Sequence, residues 1–162
     1  YLISYFEQVD RPVLICFFGD HQPVLNGDFE NALREAGRGD TDTDLTMTEK
    51  IYMVPYFIWS NYEIPEDYSM KNSRGEDVVS TNYLGTLVRK YAGLELSAYD
   101  RYRMNQREQI PVFNFAGYMT ADGDWYDLWA ENSYREWIER YRTVQYYALF
   151  DRKRNGRYFV GE

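Results

Sequence analysis

An aspartate and the only histidine of the chain, Asp20 and His21, stand side by side directly after a run of apolar residues. The run covers residues 13–18 and ends at Gly19. A neighbouring carboxylate and imidazole suit a divalent cation, because their oxygen and nitrogen donors can share one ion. We therefore predict that Asp20 and His21 are metal ligands. The two residues alone leave open the alternative of an ordinary Gly-Asp turn followed by a structural histidine.

Two ligands do not complete a metal site, since zinc usually takes four. The only cysteine, Cys16, lies inside the apolar run. Aspartates at alternate positions in residues 40–44 imitate the start of a calcium-binding loop, but Leu45 and Ile51 stand where that loop requires glycine and glutamate. The remaining ligands would therefore be carboxylates or hydroxyls of this chain, or groups outside it.

The apolar run must position the two candidate ligands. Six apolar residues without alternation predict a strand that is buried on both faces, as in a parallel sheet covered by helices. Gly19 would end the strand and let the backbone turn tightly. Asp20 and His21 would then follow the carboxyl end of the strand, which is where ligands bind in open α/β sheets.

The rest of the pattern alternates helices and strands, which predicts the α/β class in a single domain over residues 1–162. The expected architecture is an α/β/α sandwich with a mostly parallel sheet flanked by helices, and with a small C-terminal strand or hairpin after Asn155-Gly156. Helices are predicted at residues 1–9, 27–36, 80–93, part of 94–109 and 125–150. Further strands are predicted at residues 51–60, 110–119 and 158–160. Residues 37–48 are predicted to form a loop.

Composition limits the possible partners. A net charge of −8 argues against nucleic acid, or an anionic membrane surface, as the main partner. One cysteine excludes an internal disulfide, and no apolar run reaches the roughly 18–20 residues that span a bilayer. Aromatic residues make up 19% of the chain, which indicates a Tyr-rich core and surface or, alternatively, a carbohydrate-stacking surface. The chain starts at Tyr1 within an amphipathic pattern, so we expect a fragment of a longer protein.

Four stretches of the chain, in order, resemble the carboxyl-terminal part of the sulfatase-like transferases of the alkaline-phosphatase superfamily. Within that superfamily, the chain most resembles the lipoteichoic acid synthase and phosphoglycerol transferase group. The most specific stretch, Phe17-Phe18-Gly19-Asp20-His21-Gln22-Pro23, matches a hydrophobic-Gly-Asp-His-x-Pro signature. The other stretches are 2–6 (LISYF), 54–60 (VPYFIWS) and 80–94 (STNYLGTLVRKYAGL), and residues 146–150 with 156–158 are similar to the closing helix and strand.

The resemblance implies that Asp20 and His21 bind a divalent cation, which is Mn²⁺, Zn²⁺, Mg²⁺ or Ca²⁺ according to family branch. That ion would help to activate a threonine or serine nucleophile and stabilise charge on the transferred phosphoryl oxygens. The nucleophile, an acidic metal ligand and the substrate-binding residues would lie upstream of Tyr1, so this chain would hold half of a metal site and no catalytic residue. Asn82 stands where many relatives carry an acidic residue, and no role is assigned to it.

The resemblance implies that the full-length protein is a phosphoglycerol or phosphoethanolamine transferase of the cell envelope. Upstream transmembrane helices would anchor it on the extracytoplasmic face of a bacterial membrane, where it would act on lipid-linked or polysaccharide phosphate or sulfate esters. The first alternative is a sulfatase that hydrolyses sulfate esters with a modified cysteine or serine. The second is a non-catalytic, Tyr-rich module that binds glycans or proteins. We expect the isolated chain to be inactive, because the nucleophile would lie upstream. Strands that lose neighbours in a fragment favour association, so we also expect a homo-oligomer or a strand arrangement altered from that of the intact domain.

Overall fold

The computed structural model describes residues 1–22, 27–37, 43–64, 66–71, 75, 77–153 and 155–160. Helices and small sheets alternate along the chain, which confirms the predicted α/β class. The chain divides into two compact units, Tyr1–Asp67 (unit 1) and Tyr68–Glu162 (unit 2). That residues 1–162 form one domain of a larger protein stays a prediction.

Unit 1 contains three helices and two strands in its described residues. They are α1 (Leu2–Phe6), β1 (Leu14–Phe18), α2 (Gly27–Gly37), α3 (Asp44–Tyr52) and β2 (Tyr56–Ser60). The predicted helix at 27–36 is confirmed, whereas the loop predicted to run to residue 48 is wrong beyond residue 43. Thr43 starts α3 because its hydroxyl accepts a hydrogen bond from the Thr46 amide and its own amide donates to Thr46 Oγ1, a reciprocal capping box.

The two strands of unit 1 pair antiparallel, from Leu14 opposite Ser60 to Phe18 opposite Tyr56. The mostly parallel sheet that the sequence predicts is therefore wrong for the pairs described, because a continuous apolar run indicates burial but does not fix strand direction. The predicted strand over 51–60 is also too long. Its first two residues finish α3, and Pro55, which has no amide hydrogen to donate, separates that helix from β2.

The prediction that β1 is buried on both faces is wrong in this structure. None of its five residues is buried, and Phe17 and Phe18 are exposed. Phe17 stacks on Phe57 of β2, with ring centroids 5.4 Å apart, and Phe57 is exposed as well. The apolar residues that led to the prediction of burial therefore form an exposed apolar surface on a two-stranded sheet.

Unit 2 contains three longer helices and a small antiparallel sheet in its described residues. They are α4 (Thr81–Tyr91), α5 (Ala98–Gln109), β3 (Val112–Phe113), β4 (Gly117–Met119), β5 (Trp125–Asp127), α6 (Arg135–Phe150) and a 3₁₀ helix at Gly156–Phe159. The helix predicted for 125–150 starts only at Arg135. The predicted final strand is a 3₁₀ turn instead, because Asn155 Oδ1 accepts a hydrogen bond from the Arg157 amide and keeps the backbone from extending.

The core of unit 2 forms where α4 and α6 meet the small sheet. Its buried residues are Tyr83, Ile110, Phe113, Tyr118, Ile138 and Tyr141. Ser80 precedes α4 as predicted, but its hydroxyl donates to the Phe113 carbonyl at 2.6 Å rather than capping the helix. Asn82 Nδ2 donates to the same carbonyl at 2.9 Å. Asn82 thus has a structural role, which is to tie α4 to β3.

A buried carboxylate joins α4 to α5. Asp100 accepts hydrogen bonds from Ser97 Oγ at 2.7 Å and from Thr86 Oγ1 at 2.8 Å, and Arg89 Nε lies 3.3 Å from its Oδ2. Burial raises the pKa of Asp100, but these hydrogen bonds, one from the Ser97 amide and the Arg89 charge outweigh it, so the pKa lies below its ordinary value.

We predict that Asp100→Asn lowers the free energy of unfolding at pH 7 by about 1–3 kcal/mol, because hydroxyl donors lose a charged acceptor. Since the folded-state pKa is lowered, the charged form stabilises the fold above about pH 4, and this contribution disappears as the pH falls through the folded-state pKa. Urea denaturation followed by tryptophan fluorescence between pH 7 and acid should show a steeper loss for wild type than for Asp100→Asn. The exposed Asp124→Asn is the matched control and should follow wild type. Parallel curves for wild type and Asp100→Asn would refute the assignment.

Candidate metal centre

The candidate ligands follow directly on a close contact between the end of β1 and the segment before β2. The Gly19 amide donates to the Pro55 carbonyl at 3.1 Å. A Cβ atom added to Gly19 would lie 2.9 Å from Val54 Cβ and 3.2 Å from its Cγ1. Gly19 is not among the glycines with positive φ, so close approach, rather than the predicted tight turn, requires glycine here.

The residue after the histidine adds a second anchor at this end of β1. Gln22 Nε2 donates a hydrogen bond to the Met53 carbonyl. The loop with both candidate ligands is therefore attached to residues 53–55 at Gly19 and at Gln22, one on each side of Asp20-His21. Pro23, the last residue of the signature, lies outside the described residues.

Asn61 fixes the opposite end of β1, and the sequence did not single it out. Its Oδ1 accepts from the Val13 amide at 2.8 Å, and its Nδ2 lies within 3.1 Å of the carbonyl oxygens of Phe6, Val9 and Arg11. It thus holds the α1–β1 connection against the end of β2. The one available signal was an amide side chain immediately after an apolar strand.

Asp20 and His21 lie together at the end of β1, with Asp20 Oδ2 and His21 Nε2 3.5 Å apart. The two side chains are 84% and 68% exposed, so both are accessible to an ion. The His21 amide donates to Asp20 Oδ1 at 2.9 Å, which orients the carboxylate and leaves Oδ2 toward the imidazole. Two ligands at about 2.1 Å from a shared tetrahedral ion are about 3.4 Å apart, so the observed spacing fits one ion.

The imidazole is held in the tautomer that a metal ligand needs. His21 Nδ1 lies 2.7 Å from the Gln22 carbonyl oxygen. A carbonyl can only accept, so Nδ1 carries the hydrogen, and the lone pair of the neutral ring is on Nε2, beside Asp20. A backbone carbonyl that fixes the second ring nitrogen is the usual support of a metal-binding histidine.

In the described residues, no further metal-binding side chains gather around Asp20 and His21. Among those residues, no group of three or more His, Cys, Asp or Glu side chains could hold a metal ion. Burial raises the pKa of the Cys16 thiol, which favours the neutral form over the thiolate that would bind metal. Asp40 and Asp42 lie outside the described residues, and Asp44 starts α3. The structure thus brings two predicted ligands together, and their role as ligands stays a prediction.

Comparison with known proteins gives one finding. A family model described as Sulfatase matches residues 1–94, which include all of unit 1, α4 and the candidate ligands. No curated protein and no solved structure matches the chain. In the described residues no helix has the length and apolar character needed to cross a membrane.

We predict that Gly19→Ala destabilises unit 1 by about 1–3 kcal/mol, because the new methyl group has no room beside Val54. Combining it with Val54→Gly should recover part of the loss in a double-mutant cycle of denaturation free energies. Gly85→Ala is the matched control, since nothing lies within 4 Å of the added carbon, and it should be neutral or slightly stabilising. Equal effects of the two alanine substitutions would contradict the packing constraint at Gly19.

Proposed function

Because the chain belongs to the sulfatase family, we propose that it is the carboxyl-terminal part of a metal-dependent phosphoglycerol or phosphoethanolamine transferase acting on cell-envelope glycopolymers or glycolipids. The observation that carries the proposal is the pair of donor atoms, Asp20 Oδ2 and His21 Nε2, 3.5 Å apart inside the matched residues. The resemblance of residues 17–23 to the transferase signature supports the finer assignment.

The donor set narrows the choice of cation. An imidazole nitrogen disfavours Mg²⁺ and Ca²⁺, which take oxygen ligands, and leaves Zn²⁺ or Mn²⁺ as the better candidates. When bound, the cation would supply a Lewis acid that stabilises negative charge on the transferred group. Asp20 contributes Oδ2 and compensates part of the cation's charge. His21 contributes Nε2, which carries the lone pair of the neutral ring because Nδ1 donates its hydrogen to the Gln22 carbonyl.

The rest of the catalytic centre would come from the rest of a larger extracytoplasmic domain, anchored to the membrane upstream. The uncovered faces of the β1–β2 sheet support this part of the proposal, because a two-stranded sheet is only marginally stable alone and Phe17, Phe18 and Phe57 are exposed. The same surface supports the expectation that the isolated chain associates with itself. The nucleophile would belong to the absent part, so this chain alone would be inactive.

A sulfatase that hydrolyses sulfate esters is the second candidate, and the family match favours it directly. Both candidate functions need the metal ligands Asp20 and His21. They differ in the nucleophile and in the group that is transferred. With the full-length protein, transfer of a glycerol phosphate or ethanolamine phosphate group to an acceptor supports the first candidate. Release of inorganic sulfate from a sulfate ester, without such transfer, supports the second.

The metal-ligand assignment can be tested in this chain without any activity. His21 is the only histidine, so the ring resonances in its NMR spectrum need no further assignment. We predict that Mn²⁺ at micromolar to millimolar concentrations broadens these resonances, and that Asp20→Ala weakens the effect because it removes the second ligand. Asp10→Ala, at another exposed position of unit 1, is the control and should broaden like wild type. Broadening that is absent, or unchanged in Asp20→Ala, would reject the shared site.

In the full-length protein we predict that Asp20→Ala and His21→Ala each lower turnover by at least about 100-fold, since loss even of a residue that supports a metal ligand costs about 10–100-fold. Steady-state assays would measure the loss, and circular dichroism would confirm that the fold is retained. Asp10→Ala should keep wild-type turnover. Wild-type turnover in either ligand variant would refute the assignment of Asp20 and His21 as metal ligands.

A further inference from the structure

The last turns of α6 carry an apolar face that does not take part in the core. Tyr146, Leu149 and Phe150 are spaced i, i+3 and i+4, so they share one side of the helix, and all three are exposed. The Tyr146 and Phe150 rings contact each other, with centroids 5.5 Å apart. By contrast, Ile138 and Tyr141, about two turns and one turn before Tyr146, are buried in the core of unit 2.

The segment after α6 adds two more exposed apolar residues and is itself held in place. Phe159 packs against Tyr99 of α5 at 5.1 Å and Tyr147 of α6 at 6.3 Å between ring centroids, and the Asn155 amide donates to the Tyr147 hydroxyl at 2.6 Å. These contacts fix the 3₁₀ helix on unit 2 and leave Tyr158 and Val160 exposed.

Cations accompany these apolar residues. Arg152, Lys153 and Arg157 are exposed, and none of them forms an ion pair with any residue the structure describes. The first turns of α6 differ, since Arg135 and Arg140 each pair with glutamates four residues away at 2.8–2.9 Å. The described residues at the end of α6 therefore carry three cations beside a single carboxylate, that of Asp151, in a chain whose net charge is −8.

We propose that this surface, which we call the α6-end surface, binds an anionic lipid membrane peripherally. It comprises Tyr146, Leu149, Phe150, Arg152, Lys153, Arg157, Tyr158 and Val160. Apolar and tyrosine side chains enter the headgroup boundary, whereas lysine and arginine attract anionic headgroups. A purely electrostatic partner would explain the cations but not the uncovered aromatic and aliphatic side chains.

The negative charge of the remaining chain is compatible with this partner. The net negative charge argues against an anionic membrane as a partner of the whole surface. An anionic membrane would repel the rest of the chain, however, and so favours an orientation in which the basic end approaches first. The inference does not rest on the proposed function, because the α6-end surface lies outside residues 1–94, which match the family.

The test uses the 162-residue chain and vesicles of phosphatidylcholine with or without about 30% phosphatidylglycerol. In flotation assays we predict binding to the anionic vesicles, much weaker binding to pure phosphatidylcholine, and release in about 0.5 M NaCl, which screens the headgroup charge. Binding that is equal on both vesicle types, or absent from the anionic ones, would overturn the proposal.

Two pairs of variants locate the contact. Arg152→Gln with Lys153→Gln should weaken binding roughly 10- to 30-fold, whereas Arg11→Gln with Lys71→Gln removes the same charge at other exposed sites and should have a small effect. Phe150→Ser should weaken binding roughly 10-fold. Its control is Phe115→Ser, since the two phenylalanines are 66% and 68% exposed.

Thermal melting should be unchanged in all four variants, because every substituted side chain is exposed. Equal losses in the test and control variants would overturn the proposal, since binding would then depend on total charge or total apolar surface. If Phe150→Ser instead turns a dimer into a monomer and leaves vesicle binding unchanged, the surface is an interface between copies of the chain, and the membrane proposal is wrong.

Discussion

The candidate centre depends on the absence of a side chain at Gly19. Because no Cβ is present, the end of β1 can lie against Val54 while the Gly19 amide donates to the Pro55 carbonyl. That contact sets the start of β2 opposite the end of β1 and attaches the following loop to residues 53–55. Asn61 provides the corresponding constraint at the other end of the strand pair. Asp20 and His21 thus follow a strand that is fixed at both ends, by Gly19 at one end and by Asn61 at the other.

The local features of the fold could be predicted from sequence, because they depend on neighbouring residues. The apolar run of β1, the start of α4 after Ser80 and the proximity of Asp20 to His21 are of this kind. Strand direction could not be predicted, since it depends on how the chain returns between residues 18 and 56. The prediction that β1 is buried was wrong for a related reason. An apolar strand indicates that other residues pack over it, but it does not show that those residues belong to this chain.

Polar residues that act at long range were the least predictable part of the site. Asn61 binds carbonyl groups about 50 positions earlier in the chain, and no local pattern distinguishes it from an ordinary loop asparagine. Asp100 similarly joins two helices through Thr86 and Arg89, although its capping role beside Ser97 has a local sequence signal. In both cases a buried or half-buried polar group is satisfied by partners that only the folded chain brings together.

The central claim is that Asp20 and His21 form one side of a divalent metal site. Anomalous diffraction from crystals of the full-length protein grown with Mn²⁺ or Zn²⁺ tests this most directly. The account predicts an anomalous peak about 2.0–2.2 Å from both His21 Nε2 and an Asp20 carboxylate oxygen. A metal bound elsewhere in the catalytic domain, with these two side chains free of it, would contradict the account.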